Sequence, residues 1–543
     1  MQRGGLRSLE IGLRDVRATK CIELIEKGLM CAGMEFIPDS VLLSPSLREV
    51  VRKVTTVEDT IDLIEADLTP IQEFYNKSNV FITGCTGFLG QLVLEKLLRS
   101  CPISKVYLLV RDKKGTKVNA RLDNIFGDPL FQRLRNQMPD FRKKVIGIEG
   151  DCTLPDLGLS DINKQLLIKN VDIVFHVAAT VRFDEKLKTA VLINVRATRD
   201  VLWLARQMTR LKCFMHVSTI YCNCLYDVIE EETYPAAANY EAIISIAENL
   251  PDVLEKVSDK MVGQYPNTYT FTKQIAEDVI EEEGKGLPVG IHRPGIGWYR
   301  VLSTYKEPVR GWINNIHGPI GVSIAFAMGV MRTIYCELDY NANMVPADMC
   351  INSLLAAAWE VGTSYRERMD EYKFKVPVYH FESNSDNPIS WKWSVELGRK
   401  CGVLVPSKMV LWCVSIYMTN SYVLYWIYSL FVHTLPAILV DGILLSLGKP
   451  RMAMDVYRKI DKMLKVIKFF STREWTINSR RMRKLLENMT VRDREIFLSD
   501  LREMKWVDYF ECYIAGARIH FLKDPMTTLP GARKRYKRLI YCN

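Results

Sequence analysis

The 543-residue sequence lacks the cysteine spacings that build metal sites or disulfide frameworks. Its 14 cysteines are scattered, no C-x-x-C pair occurs, and the nearest approach is Cys222 and Cys224. Zinc ribbons need paired cysteines, and disulfide-rich secreted domains need regular spacings. We therefore expect free thiols, no bound metal and a reducing intracellular environment.

Targeting signals and nucleic-acid motifs are missing as well. The N-terminus carries acidic residues and no continuous apolar core, so it matches neither a secretory signal nor a transit peptide. The formal charge of +10 is modest for this length, and a basic excess alone suits either nucleic acid or an anionic membrane surface. Without zinc-finger spacing, RNA-binding aromatics or a recognition helix, we expect no nucleic-acid partner.

One long segment lacks charge entirely. Residues 409–440 contain no Asp, Glu, Lys or Arg. About 20 apolar residues suffice to cross a bilayer, so the segment predicts a membrane-associated element that spans or re-enters. The alternative is a fully buried helical hairpin, and Pro436 argues against one straight span.

A basic amphipathic pattern follows that segment over residues 451–470. Such a pattern beside an apolar segment favours an anionic bilayer surface, so we expect membrane lipid as a partner. The apolar positions that share one predicted helical face are Val456, Ile460, Met463, Ile467 and Phe470.

Short apolar runs alternate with helical periodicity between residues 79 and 300. This alternation predicts a parallel sheet covered by helices on both faces, which is a doubly wound α/β domain. Residues 1–70 are predicted to be a weakly structured or helical extension, and the region 300–400 to be a lid or substrate-binding part. The predicted strands are 80–84, 105–111, 144–150, 171–178, 213–219 and 289–295.

Three glycines at a spacing of three follow the first predicted strand, in TGCTGFLG. Gly84 permits a tight turn, Gly87 lets the backbone approach a diphosphate, and Gly90 allows close helix–strand packing. A helix N-terminus beginning near Phe88 then directs its amides at the phosphates. The pattern predicts a dinucleotide site formed by Thr83, Gly84, Thr86, Gly87, Phe88, Leu89 and Gly90.

The second predicted strand ends in Arg111, where an NAD site usually has an acidic residue. A guanidinium can bind a 2′-phosphate through two hydrogen bonds, so Arg111 favours NADPH. Asp112 argues in the other direction, and Lys113 or Lys114 would assist. Asp151 is placed to meet the adenine amine, and the remaining predicted cofactor contacts are Cys152, Ala178, Ala179, Lys273 and Pro294.

A second cluster, YPNTYTFTK, places Tyr269 and Lys273 four residues apart on one face of a predicted helix. A neighbouring ammonium favours the phenolate, so we expect Lys273 to lower the pKa of Tyr269 and make it a usable proton donor. At the end of the fifth predicted strand, Ser218 and Thr219 supply hydroxyls that can polarise a substrate carbonyl. These four residues are the predicted catalytic group.

The chain resembles the alcohol-forming fatty acyl-CoA reductases of insect type, within the extended short-chain dehydrogenase/reductases. The resemblance covers the chain from about residue 70 and includes, in order, FITGCTGFLG, LLVR, VSTIYCN, YTFTK, IHRPGIG, EPVRGWINNIHGP, NMVPADM, NPISW and WVDYFECYIAGARIHFLKD. It implies a Rossmann-type NADPH-binding and substrate-binding domain over 71–395. It also implies a mostly helical, sterile-type C-terminal domain over 396–543.

The resemblance implies that a long-chain acyl-CoA is reduced by two NADPH to a primary alcohol, through a hemithioacetal and an aldehyde, with release of CoA. It implies an intracellular, membrane-associated enzyme that faces the cytosol at the endoplasmic reticulum or the peroxisome. Two alternatives are a sterol dehydrogenase or sugar-nucleotide epimerase/dehydratase, and a catalytically silent binding protein. The long chain after Arg293 disfavours the first, and the presence of Tyr269 and Lys273 disfavours the second. Oligomeric state has no signature in these residues.

Overall fold

The computed structural model describes residues 67–112, 115–295, 301–314, 324–369 and 375–541. The predicted N-terminal extension therefore lies almost entirely outside the described residues, and so do Lys113 and Lys114.

A seven-stranded parallel sheet forms the centre of the fold, with the strand order β3-β2-β1-β4-β5-β7-β9. Two short parallel pairs, β8 with β10 and β6 with β11, complete the strands of the described residues. The strands are β1 (Asn79–Thr83), β2 (Lys105–Val110), β3 (Val145–Glu149), β4 (Ile173–His176), β5 (Cys213–Val217), β6 (Val228–Ile229), β7 (Val289–Pro294), β8 (Thr333–Tyr335), β9 (Val378–Phe381), β10 (Tyr417–Thr419) and β11 (Thr476–Ile477).

Helices account for most of the remaining described chain. They are α1 (Pro70–Tyr75), α2 (Phe88–Ser100), α3 (Val118–Phe126), α4 (Gln132–Gln137), α5 (Asp161–Asn170), α6 (Leu187–Ala190), α7 (Ala197–Arg206), α8 (Tyr240–Asn249), α9 (Pro251–Val262), α10 (Thr268–Glu283), α11 (Ala347–Thr363), α12 (Tyr365–Met369), α13 (Trp391–Leu404), α14 (Tyr422–Ser429), α15 (Leu435–Ser446), α16 (Ala453–Ser471), α17 (Arg480–Asn488), α18 (Val491–Ile496), α19 (Trp506–Gly516) and α20 (Leu529–Tyr541).

Both faces of the sheet are covered, as its continuous apolar strands require. Alternate residues of β1 enter different cores, because successive side chains of a strand point to opposite faces. Ile82 packs in the core that contains α2 and α11, whereas Phe81 packs in the core that contains α5 and α7. The predicted doubly wound α/β class is confirmed, and all six predicted strands are present. The seventh strand, β9, was not predicted.

The strand order reverses at β1, which pairs with β2 on one side and with β4 on the other. Ligands of doubly wound folds bind at such a switch point, beyond the carboxyl ends of the strands. The glycine turn after β1 and the loop after β4 therefore meet at the expected edge of the sheet.

The C-terminal part is mostly helical and is joined to the sheet domain through the two short strand pairs. Buried charges add a second connection: Lys96 of α2 donates to Glu307 at 2.6 Å and to the carbonyl of Ile496 at 2.6 Å. The predicted domain boundary after residue 395 falls inside α13. The division of the chain into domains stays a prediction.

The uncharged segment is neither fully buried nor a hairpin. Residues 422–446 form one continuous apolar helix, in which a wide turn at Leu430–Thr434 joins α14 to α15, and most of its residues are not buried in the protein. One side is held to the protein: His433 accepts from the Arg332 amide, and Asp441 accepts from the first amides of α16. The opposite side is exposed.

Helix α16 confirms the predicted amphipathic helix but differs in what covers its apolar face. Ile460, Ile467 and Phe470 are buried in the protein, and Val456 and Met463 pack against the same core. The structure therefore places this apolar face on the protein rather than leaving it free for lipid. The basic residues of the helix remain exposed.

Candidate active site

A crevice of about 780 Å³ opens at the carboxyl ends of β1, β4 and β5. It brings together most of the predicted cofactor and catalytic residues, although they come from six separate stretches of the chain. The predicted residues that line it are Gly84, Thr86, Gly87, Phe88, Leu89, Gly90, Arg111, Asp151, Cys152, Ala178, Ala179, Ser218, Tyr269 and Lys273.

The glycine turn is sterically required. Gly84 has a φ of +76°, and a Cβ there would lie 2.6 Å from the Ala178 amide nitrogen. A Cβ on Gly90 would lie 2.2 Å from the Gly84 carbonyl oxygen. Gly87 caps α2 without a side-chain hydrogen bond, so the first amides of the helix stay available to a ligand. A crevice edge made of bare backbone and a helix N-terminus fits a dinucleotide pyrophosphate.

Arg111 and Asp151 face each other across the crevice edge at the ends of β2 and β3. Arg111 Nη1 lies 3.5 Å from Asp151 Oδ2, and the Arg111 side chain is 48% exposed. A second guanidinium, that of Arg121, donates to the Arg111 carbonyl. Arg121 was not predicted, because only the fold brings α3 beside the end of β2. The two arginines concentrate positive charge at this end of the crevice.

Tyr269 and Lys273 lie on α10 and are both buried, with exposures of 3% and 1%. Lys273 Nζ donates to the Val217 carbonyl at 2.7 Å. Burial lowers the pKa of Lys273 to about 8, and the Glu277 carboxylate partly opposes the shift. The hydrogen bond to Val217 holds the amine between β5 and the crevice.

The predicted direction of the Tyr269 shift is wrong. Burial raises the pKa of Tyr269 above its usual value of 10, and a hydrogen bond with Thr219 only partly offsets this effect. The phenol consequently keeps its proton at neutral pH. A raised pKa makes the phenol a weaker acid, so the case for Tyr269 as a proton donor depends on its position at the crevice.

The two predicted hydroxyls occupy different positions. Ser218 lines the crevice, and its amide donates to the His292 carbonyl at 2.8 Å, which fixes the end of β5. Thr219 is fully buried, accepts from the Tyr221 amide at 3.2 Å and bonds with Tyr269. Of the two residues only Ser218 lines the crevice, where its buried hydroxyl donates to Cys222 Sγ at 3.8 Å, and Thr219 contacts the phenol.

Two further predicted cofactor residues do not line the crevice. Thr83 lies behind it, where its hydroxyl accepts from the Ala178 amide at 3.2 Å and bonds to His176 at 2.7 Å. Pro294 is buried at the end of β7, paired with Phe381. Thr83 therefore supports the loop after β4 from inside.

Sequence reasoning missed His216, which lies on β5 one residue before the carbonyl that binds the lysine. Its Nε2 lies 3.4 Å from Lys273 Nζ. Burial lowers the pKa of His216 well below 6.5, with Lys273 and His176 contributing, so the neutral ring can accept from the ammonium. The HVST motif could have indicated His216, because this residue lies at the end of the same predicted strand, two positions before the predicted Ser218 hydroxyl.

Phe183 was also missed. Its ring stacks on Tyr269 with centroids 5.6 Å apart and an interplanar angle of 20°, and it lines the crevice. It comes from the loop after β4, for which no periodicity predicts a position. The aromatic contact limits the movement of the phenol.

Cysteine and metal chemistry find no support at this site. Burial raises the pKa of Cys152 to about 12 and that of Cys222 well above 9, so both thiols are neutral. Within the described ranges, no three His, Cys, Asp or Glu side chains are arranged to hold a metal ion.

Comparisons with known proteins agree with this arrangement. A family model described as male sterility protein, NAD_binding_4, matches residues 82–354, and a second with the same description, Sterile, matches residues 432–524. The chain is 38% identical to "Fatty acyl-CoA reductase wat" of Drosophila melanogaster, over 91% of this chain and 94% of that protein. It is 37% identical to "Fatty acyl-CoA reductase 1" of Homo sapiens, over 87% and 90%.

Solved structures share the fold. The terminal R domain from the myxalamid PKS-NRPS biosynthetic pathway superposes with a TM-score of 0.54 at 17% identity, covering 88% of this chain and 98% of that domain. The reductase domain of a non-ribosomal peptide synthetase from Mycobacterium tuberculosis gives 0.52 at 16%, covering 89% and 97%. These similarities support the fold, whereas the sequence relatives define the family. The chain, which matches both male sterility family models, belongs to the fatty acyl-CoA reductase family.

Proposed function

We propose that this protein reduces long-chain fatty acyl-CoA to the primary fatty alcohol, with two NADPH consumed and CoA released. The observation that carries the proposal is the single crevice in which Tyr269, Lys273 and Ser218 meet the glycine turn. The curated relatives named fatty acyl-CoA reductases align across both regions of the chain, which supports the acyl-CoA substrate.

The chain's own residues supply binding, polarisation and a proton. When bound, NADPH supplies hydride to the carbonyl carbon. Ser218 donates a hydrogen bond to the carbonyl oxygen, where negative charge develops. Tyr269 then protonates that oxygen, because its side chain lines the crevice and carries a proton at neutral pH. Val217 and His216 hold the Lys273 amine at the same crevice.

No enzyme nucleophile is needed in this scheme, because CoA already provides the thioester. The hemithioacetal loses CoA when its C–S bond breaks and the carbonyl re-forms; its hydroxyl proton is transferred to the leaving thiolate, so that CoA departs as the thiol. The aldehyde product is then reduced at the same site. The neutral thiols of Cys152 and Cys222 are consistent with this role of CoA as the sole sulfur participant.

The preference for NADPH over NADH is part of the proposal. Arg111 lies at the end of β2, where the ribose of a dinucleotide is recognised, and Arg121 adds a second positive charge there. A 2′-phosphate carries the charge that two guanidiniums favour. Asp151 offsets part of this charge from 3.5 Å.

We also propose that the exposed side of helix 422–446 lies in an anionic bilayer on the cytosolic side. Trp426 and Phe431 are 60% and 61% exposed, in a stretch without charge. The exposed lysines and arginines of α16 lie next to it and favour anionic lipid. Because His433 and Asp441 are held by the protein, the helix would lie along the membrane surface. The organelle, endoplasmic reticulum or peroxisome, stays a prediction.

Product stoichiometry tests the function. Membranes from cells expressing the chain are supplied with palmitoyl-CoA and NADPH, and alcohol, free CoA and oxidised cofactor are measured. We expect one alcohol and one CoA for each pair of NADPH oxidised. Oxidation of one NADPH per CoA with aldehyde as the end product, or no alcohol from any acyl-CoA, would contradict the proposal.

A further inference from the structure

A buried ion pair lies one helical turn from Lys273. Glu277 follows Lys273 by four residues on α10, so the two side chains share one side of the helix, with Cβ atoms about 5–6 Å apart. Glu277 is buried but does not line the crevice. Its carboxylate accepts from Arg293 Nε at 2.8 Å and from Arg293 Nη2 at 2.5 Å. The ion pair therefore joins α10 to β7 next to the active-site lysine.

Arg293 fixes the position of this carboxylate. A guanidinium has five N–H donors, and two of those in Arg293 bind Glu277. The remaining three donate to the Glu230 carbonyl at 3.1 Å, the Glu232 carbonyl at 2.8 Å and His380 Nε2 at 3.0 Å. His380 can accept because burial lowers its pKa well below 6.5, which leaves the ring neutral. Every donor of the guanidinium is thus used, and the carboxylate is held in one place.

The strands beside the Lys273 amine present only neutral groups to it. On β5, the Val217 carbonyl accepts from the amine, and burial keeps the His216 ring neutral by lowering its pKa well below 6.5. On β4, burial lowers the pKa of His176 to about 3, so this ring is neutral as well. These groups accept hydrogen bonds or fill space, but they supply no negative charge.

The other groups near the amine lie on α10 and on the turn after β5. Tyr269 and Cys222 keep their protons, because burial raises the pKa of each. Glu277 differs from them, since it carries a negative charge in its ion pair with Arg293. Burial lowers the pKa of Lys273 to about 8, and Glu277 opposes this effect more strongly than Cys222 does. The carboxylate therefore favours the ammonium form of the lysine.

The charge of the amine matters because Lys273 lines the crevice. A positive charge there stabilises the negative charge that develops on a carbonyl oxygen during reduction. An ammonium also has three N–H donors and no acceptor, which suits the hydroxyls of a cofactor ribose. A pKa of about 8 leaves the amine close to losing its proton at neutral pH, so its charge depends on the groups around it.

We propose that Glu277 is a positioning residue for the reduction: held by Arg293, its carboxylate keeps the Lys273 amine charged at the crevice. This rests on the proposed acyl-CoA reduction. Glu277 touches neither the substrate nor the cofactor and acts through Lys273. The alternative is a purely structural role, in which the ion pair only joins α10 to β7. That role predicts no change in the pH dependence of the reaction when the carboxylate is removed.

The pH dependence of kcat/KM for NADPH tests the proposal, measured on the full chain with saturating palmitoyl-CoA from about pH 6 to about pH 9. For the wild type we expect a decrease above about pH 8, where Lys273 loses its proton. Glu277→Gln removes the charge with little change in shape, so the decrease should begin about one pH unit lower, or more. Glu277→Asp keeps the charge and should retain the wild-type profile.

A second variant keeps the test valid if Glu277→Gln does not fold, since that exchange leaves the Arg293 charge buried without its partner. Glu277→Gln combined with Arg293→Met removes both charges and should shift the profile in the same direction. Glu95→Gln is the matched control, because Glu95 is also buried, pairs with Arg99 at 2.7 Å and does not line the crevice. It should leave the pH profile unchanged. A wild-type profile without the alkaline decrease, or a folded variant without the carboxylate whose decrease begins at the wild-type pH, would overturn the proposal.

Cofactor binding separates this proposal from the proposed function. The dissociation constant of NADPH is measured by cofactor fluorescence over the same pH range, and this requires no reaction. If no alcohol forms from palmitoyl-CoA but Glu277→Gln lowers the pH at which NADPH binding weakens, the proposed function fails and the role of Glu277 stands. If alcohol forms and neither the binding profile nor the kcat/KM profile moves in Glu277→Gln, the proposed function stands and the role of Glu277 is overturned.

Discussion

Replacing Arg111 with alanine should change which dinucleotide the protein prefers. A hydrogen bond to a charged group contributes about 1.5–3 kcal/mol. The Arg111 side chain is 48% exposed and shares its charge with Asp151, so the lower end of that range applies. A loss of about 1.5 kcal/mol corresponds to roughly a tenfold decrease in kcat/KM for NADPH. The value for NADH, which lacks the 2′-phosphate, should change little.

The assay measures kcat/KM for NADPH and NADH at saturating acyl-CoA in both proteins. Arg502→Ala is the matched control, because Arg502 is 56% exposed and paired with Asp500 but does not line the crevice. It should leave both values unchanged. If Arg111→Ala lowered kcat/KM for NADPH and for NADH by the same factor, the proposed contact with the 2′-phosphate would be refuted.

Two further predictions concern stability and membrane binding. Glu307→Gln should lower the free energy of unfolding by about 3–5 kcal/mol in urea denaturation, because it removes the carboxylate that the buried Lys96 and Arg99 share, while Arg99 keeps its ion pair with Glu95. Although burial alone would raise the pKa of Glu307, the two cations lower it from 4.5 to about 2. Its stabilisation is therefore present above pH 4.5 and is lost as the pH falls toward 2, and the variant should lack this dependence. Exchanging Trp426 and Phe431 for serine should reduce flotation with phosphatidylserine vesicles at unchanged Tm; unchanged flotation would refute the membrane face.

Much of the sheet domain could be predicted from the sequence, because its strands, turns and helices depend on patterns among residues that are adjacent in the chain. The glycine turn lies between a continuous apolar run and an amphipathic run, so its strand, turn and helix follow from adjacent residues. The spacing of Tyr269 and Lys273 likewise places both on one helix. Strand β9 could not be predicted, because an apolar stretch of only four residues occurs in strands, helices and loops alike.

The remaining features depend on contacts between distant residues. The pKa of Tyr269 is raised rather than lowered because burial in the core that includes Phe183 outweighs the hydrogen bond with Thr219. His216 acquires its role from the register of β5 against α10. An apolar helical face such as that of α16 can pack against a protein core or against lipid, and its sequence pattern is the same in both cases. Only the fold shows that protein covers it.

The most direct test of the central claim is alcohol formation by Tyr269→Phe. If Tyr269 is the proton donor, the rate from palmitoyl-CoA and NADPH should fall by about a hundredfold or more. The Tm shift produced by NADPH should stay at its wild-type value. Tyr240→Phe, a tyrosine outside the crevice that donates to Glu283, should retain activity. Alcohol formation at the wild-type rate in Tyr269→Phe would contradict the account.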